Sequence, residues 1–489
     1  MKPAYFDQRA LIRYIVILVV TMLAMKFSGG TGFVLVVPLF FFAIFNRKPT
    51  ESFFYLLLTV ATVMGNSHFF PKGTIYSLVN RVMLMSTGVM LFFATTGGRA
   101  SPLAKPFFGL LAYLLVMCLS SAFGWCPGIS FLKLLLFTTT YLAYLGVANQ
   151  VMMSRGDDAL KVRSVMLAFA GLFILGSLAL VPFPSVGQMS GEEFEEAMKN
   201  GADITSLFKG MTSHSQSLGP CIASAATVIC ADMVFGARRW TKLHLVMLLV
   251  SPYLVYLTSS RTAMGSLIGG FGIVGWYAIN ARGLRQGWKR KIVSAGFTLF
   301  FLALLALVAS SGVQQGVVRY ALKHGDVRGT DVSLEQIMST RRGLWTEGLR
   351  NFRESPLFGN GFQVSEEMKG IKVGLSTMSA PIEKGVWISA VLEEGGLVGF
   401  IVFSAFLISV WIALSKHRAY IGLCAFFELL LTNMGEFTMF SLSYTGGFLW
   451  AMVFAGLVLD SVRLKERNRR PMAYAPPDLS YPACLTPRR

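Results

Sequence analysis

Apolar runs of roughly 15–25 residues, each long enough to cross a bilayer as a helix, alternate with short polar connections along most of this chain. The runs are Leu11–Met25, Gly32–Phe45, Ser52–Met64, Leu78–Thr95, Phe107–Phe123, Ile129–Val147, Ser164–Val181 and Leu218–Phe235. They continue as Leu243–Thr258, Ala263–Ile279, Ile292–Ala309, Val386–Leu414, Tyr420–Leu431 and Leu442–Leu459. The pattern predicts an all-α, polytopic transmembrane bundle of about 12–14 spans over residues 1–462. Residues 463–489 read as a tail, rich in proline beyond Arg470 and expected to be disordered.

The polar connections carry a second pattern. Lysine and arginine collect in alternate ones: Arg47 and Lys48; Arg99 and Lys105; Arg155, Lys161 and Arg163; Arg238, Arg239 and Lys242. The series runs on through Arg282 to Lys291, then Lys416 and Arg418, and ends in the basic tail. Basic short loops mark the cytoplasmic side, so both termini are expected inside. Two loops on the opposite side are long, 182–217 and 310–385. In the second, Leu344, Trp345, Leu349 and Phe352 recur at helical spacing among Arg341, Arg342, Arg350 and Arg353. That predicts an amphipathic helix lying on the bundle or the membrane surface. Pro356-Leu-Phe-Gly-Asn-Gly-Phe362 should end it in a tight turn.

Composition sharpens the class. Hydrophobic residues make up 54% of 489 and charged residues 14%, against roughly 25% charged in soluble domains. The net charge of +19 belongs mostly to span-flanking loops, which argues for orientation rather than nucleic-acid binding. Residues 1–10 lead into the first span without a clear small-x-small cleavage site, so that span is expected to remain as an anchor. Six cysteines lie scattered, mostly in spans, and show neither a disulfide framework nor zinc-type spacing with histidine. No Walker loop, dinucleotide fingerprint or Asp-x-Asp pair is present, so no cofactor or metal is expected. Transfer chemistry here needs a donor that is already activated.

Candidate chemistry lies on the non-cytoplasmic side, where arginines run against the topology rule. Arg261 occupies a break of a few residues, Ser259-Ser-Arg-Thr262, between two spans. A guanidinium offers two parallel donors to phosphate oxygens and keeps its charge; an arginine snorkelling to the interface is the plainer alternative. Arg341 and Arg342 precede Trp345 by four and three residues, on one helix surface, as phosphate ligands or as a solvated basic face. Arg81 near the outer end of its span is a third phosphate ligand or an interfacial anchor. Glu383, beside Lys384 where the large loop meets a span, could serve as general base or form an interface pair with that lysine. Glu393 and Glu394 inside the next span should face the bundle or be neutral, with an arginine the expected partner; Glu428 and Glu436 receive the same structural reading. His214 and Gln216, where the first long loop re-enters the membrane, fit a sugar or phosphate contact or ordinary polar lining.

Four segments resemble, in order, the O-antigen ligase and O-antigen polymerase superfamily of bacterial membrane glycosyltransferases. Gly210…His214-Ser-Gln-Ser-Leu-Gly219 is similar to a family Gly-x-x-x-His-x-Asn-x-Leu-Gly, with Gln216 where asparagine is usual. Ser260-Arg-Thr-Ala263 resembles its Ser-Arg helix start. Arg341…Trp345…Pro356-Leu-Phe-Gly-Asn-Gly-Phe362 resembles Arg-x-x-x-Trp followed by Pro-Leu-x-Gly-x-Gly, and Glu394-Gly-Gly-Leu-Val-Gly399 resembles Glu-Leu-Gly-x-x-Gly. Ligases of the family place a catalytic histidine before that last motif; here no histidine lies between His324 and His417, and Glu383-Lys384 occupies the neighbourhood. Polymerase and ligase therefore both stay open. The resemblance implies an inner-membrane enzyme using an undecaprenyl-diphosphate-linked glycan donor at the periplasmic face. Its acceptor is a second lipid-linked glycan or a lipid A-core sugar, and other polysaccharide assembly proteins are partners it admits. Arg261 and Arg341 would hold the diphosphate and Glu383 would take the acceptor proton. A glycan transporter or flippase is the competing class; it predicts internal repeats and paired broken helices, and no repeat is visible.

Overall fold

The computed structural model describes residues 8–28, 39, 48–70, 100–154, 157–188, 208–236, 241–280, 334–369, 384–441 and 445–469. Among these the chain is helical, and the sole β pairing is two isolated bridges. The helices are α1 (Gln8–Phe27), α2 (Pro49–Met64), α3 (Leu110–Phe123) and α4 (Pro127–Met153). Next comes α5 (Asp157–Gly171), which continues through a π turn at Leu172–Gly176 to Leu180. Then follow α6 (Ser215–Phe235), α7 (Lys242–Leu257), α8 (Arg261–Asn280), α9 (Leu334–Glu354), α10 (Trp387–His417), α11 (Tyr420–Thr432) and α12 (Thr445–Arg469). Among the described residues, eight helices are long and apolar enough to cross a membrane, and three shorter apolar ones accompany them. These coincide with the expected spans, except that Gly32–Phe45 (apart from Leu39), Leu78–Thr95 and Ile292–Ala309 lie outside the described residues.

Two helices form the centre. α12 is 89% buried over its most apolar window and α6 is 83% buried. The reason is compositional: α6 is lined by Gly219, Ala223, Ser224, Ala226 and Thr227, small enough for neighbouring backbones to close in. Thus Gly270 of α8 sits directly on the Thr227 side chain, with no room for a Cβ. α12 fills its surroundings with rings instead. Trp450 and Phe454 stack with each other and meet Tyr141 of α4. α10 is only 28% buried and turns Leu397, Ile401, Ile408 and Ile412 outward, the stripe expected of a lipid-facing span.

The connections separate into two ends. At one end Lys465 donates from Nζ to the carbonyls of Met152 and Ser154, 2.6 and 2.7 Å away. Arg163 pairs with Asp232 at 2.7 Å, and Ser101 donates its amide to Asn149. At the other end the Asn66 amide nitrogen donates to Val186 and Gly210 carbonyls, and the amide of Trp387 to Asn433. The loops that the basic-residue pattern puts on one side therefore meet one another in space.

Candidate functional site

The Arg261 turn is built from three segments that sequence places far apart. Ser260 is the N-cap of α8, its Oγ accepting from the amide of Ala263 at 3.3 Å, which satisfies a donor the helix would otherwise leave open. Arg261 follows as the first helical residue. Ser259 just before it takes φ of +52°, a left-handed conformation that costs a non-glycine residue on the order of 1 kcal/mol or more. Such a turn persists only when its surroundings hold it. Gly219 of α6 lies close under it, and a Cβ there would come within 3.0 Å of Thr258, Ser260 and Ala263. From the other side Gly435, just after α11, packs against Thr262, and Ser260 Oγ donates to Glu436 Oε1 at 3.4 Å.

Gly219 closes the motif that opens with His214. The structure makes His214 the N-cap of α6, with its Nδ1 accepting from the Gln216 amide at 3.1 Å. Accepting at Nδ1 leaves the proton of a neutral ring on Nε2. His214 and Gln216 are half-buried at the same end of the bundle as Arg261. Arg81 and Glu383 lie outside the described residues, and for Arg341 and Arg342 only their place on α9 is described.

A second construction carries α9. Gly396 sits at φ +62° and breaks α10. In an unbroken helix the amides of Leu397 and Val398 would bond the carbonyls of Glu393 and Glu394. Here they donate to Pro356 and Leu357 at 2.8 and 3.2 Å, while Glu393 and Glu394 accept from Asn360 and Gly361 at 2.9 and 3.2 Å. The Pro356–Gly361 turn is spliced into the opened helix, and these two amides and two carbonyls regain partners, as a membrane interior demands. Gly359 and Gly361 also have positive φ, and side chains at 359 or 396 would collide with the facing backbone.

Hydroxyls and two lysines lock the splice. Ser130 Oγ accepts from the Phe362 amide at 2.6 Å and donates to Ser121, and Ser120 bridges Glu394 O and the Gly361 amide. Lys133 of α4 donates to Gln363 O at 2.9 Å, where Gln363 itself has φ of +50°. Lys384 lies 3.2 Å from Glu393 and 3.3 Å from Glu394. The expected arginine partner of these glutamates is therefore replaced by a lysine three residues before α10, the cation nearest in chain and in space. Burial works against the Lys384 ammonium, but the two carboxylates outweigh it and raise the pKa above the ordinary lysine value.

The amphipathic helix forms as expected, and its Gly348–Asn351 side meets the bundle. Asn351 and Gly348 pack on Glu393 and Ser389 of α10, while Trp345 and Leu349 stay 40% and 43% exposed. The polar side makes the tight contact because Glu393 is there to receive Asn351. The sequence pattern does not mark Lys133, Asn351, Asn360, Asn433 or Glu436 as site residues. Lys133, a lysine inside an apolar run, was the detectable signal.

The Arg261 turn itself and both halves of the splice fall inside one match. Residues 245–404, about a third of the chain, match the family described as O-antigen ligase. The resemblance to the O-antigen ligase and polymerase superfamily is thereby established. No curated protein matches the chain. The matched region holds Arg261, both halves of the splice and the arginines of α9; Gly219 and Glu436 contact it from outside its bounds. The family is one of membrane glycosyltransferases acting on lipid-linked glycans. A transporter-type design of paired broken helices is not what the described residues contain: α10 has the break, and protein fills its gap.

Proposed function

We propose that the protein transfers a glycan from a polyprenyl-diphosphate carrier at the periplasmic face of the inner membrane, as a surface-polysaccharide polymerase or a lipid A-core ligase. The observation that supports this most is the held turn at the start of α8. It presents an invariably charged arginine at a helix N-terminus, where backbone amides and the helix dipole favour an anion.

In this reading Arg261 and Arg341 hold the diphosphate, with Arg342, Arg81, His214 and Gln216 around the donor. An acceptor hydroxyl oxygen attacks the anomeric carbon, and the bond from that carbon to the diphosphate oxygen breaks. Polyprenyl diphosphate leaves with the electron pair, stabilised by the guanidinium groups. Glu383 takes the hydroxyl proton.

The test is glycan analysis of a deletion strain complemented with equal membrane amounts of wild type, Arg261→Ala and Arg261→Lys. Accumulated single repeat units in the deletion indicate a polymerase, and long unattached lipid-linked chains a ligase. Arg261→Ala should lower transfer by at least about 100-fold, and Arg261→Lys should remain impaired because it loses the two-donor fork. Full activity with lysine would remove Arg261 from the site.

A further inference from the structure

The turn that holds Arg261 is gripped by a carboxylate from a distant part of the chain. Glu436 is 8% exposed and Ser260 3%, and the hydroxyl between them works in both directions. Ser260 Oγ accepts from the Ala263 amide and donates to Glu436 Oε1, a relay from the first turn of α8 to the carboxylate. The carboxylate also lies at the positive end of that helix, where negative charge is favoured.

Glu436 is itself held in place. Asn433 Oδ1 accepts from the amides of Thr438 and Met439 at 2.7 and 2.8 Å, closing a loop around residue 436. Asn433 Nδ2 donates back to Leu429, and the Asn433 carbonyl receives the amide of Trp387 at 3.0 Å. Trp450 of α12 donates to Met439 O at 2.9 Å. The loop is thus tied to α11, α12 and the start of α10, while Gly435 packs on Thr262. A strained residue at 259 next to so many ties is what a preorganised side chain at 261 requires.

We infer that Glu436 is a positioning residue: acting through Ser260, it fixes the α8 start so that Arg261 meets the diphosphate already oriented. This rests on the reading that Arg261 holds that group. It also couples the site to α10, because the loop that carries Glu436 receives the first amide of that helix.

The test uses the full chain in nanodiscs, with undecaprenyl diphosphate as the binding probe and lipid-linked donor from the deletion strain as substrate. Glu436→Ala and Ser260→Ala should each weaken binding of the probe, and raise KM for the donor, by roughly 10-fold, the scale of one hydrogen bond to a charged group. The double variant should be no worse than either single one, since both remove the same link. Glu436→Gln, which can still accept from Ser260, should recover much of the affinity lost in the alanine variant.

Three results would overturn the inference. Normal affinity in Glu436→Ala protein removes the role. Independent, additive losses break the link through Ser260. Loss of the acid limb of the kcat profile in Glu436→Gln makes Glu436 a base instead of a positioning group. A residue needed for folding alone would lower the inserted amount while leaving KM unchanged. Arg261→Ala serves as the separate control: tight probe binding in that variant sinks the diphosphate reading itself, whatever Glu436 does.

Discussion

The two ends of the bundle are built in different ways. At the end formed by the basic loops, charged side chains close the structure directly. Arg163 pairs with Asp232, both under 5% exposed, Asp460 accepts from the Gly422 amide and pairs with Arg463, and Lys465 caps the last carbonyls of α4. At the opposite end small residues and hydroxyls hold turns that the backbone would not adopt alone. Among the described residues, positive φ occurs there at Gly210, Ser259, Gly359, Gly361, Gln363, Gly385 and Gly396, and at the basic end at Arg418. The glycines take such angles at little cost, but Ser259 and Gln363 do not, and strain of that kind persists where surrounding structure over-determines it and clusters at functional sites. One end is closed by ion pairs; the other is closed by turns with positive φ.

That contrast can be broken most sharply at Glu383. If it takes the acceptor proton, Glu383→Gln should cut turnover by roughly 10²–10⁴ with normal protein in the membrane. Near-normal transfer would leave the outer end without its proposed base. The converse experiment is Asp232→Ala at the basic end, which strands Arg163 in a buried position. It should cost about 3–5 kcal/mol of stability, visible as a lower midpoint of thermal unfolding in detergent, while donor KM of the surviving protein is unchanged. A shifted KM would mean that the two ends are not separable.

The splice offers a smaller and finer test. Gly396→Ala puts a Cβ at positive φ against Leu357 and should destabilise by about 1–3 kcal/mol. Because the turn at 356–361 carries α9, the variant should also expose the large loop to protease. A protected loop would show that α9 is docked by Asn351 and Glu393 alone.

Much of this was legible in the one-dimensional pattern, and the residues show why. Span positions follow from apolar run length, because a bilayer fixes how long a helix must be. The grouping of loops follows from where Lys and Arg collect; the loops so grouped meet in the structure. α9 was recognisable from its period, and Arg261 from a cation in a break too short for anything but a turn. What required the tertiary structure was pairing. The family-like segments Pro356–Phe362 and Glu394–Gly399 are each unremarkable alone, and they become one object only when carbonyls 393 and 394 and amides 397 and 398 exchange partners with the turn. Lys384, not an arginine, pairs with both Glu393 and Glu394 because the chain entering α10 brings it there. Glu436 reaches Ser260 across 176 residues of sequence. Hydrophobic period and charge placement are local quantities, written wherever the chain passes through lipid. Hydrogen-bond partners across helices are set by which backbones can approach, and that depends on small residues facing one another after the bundle has closed.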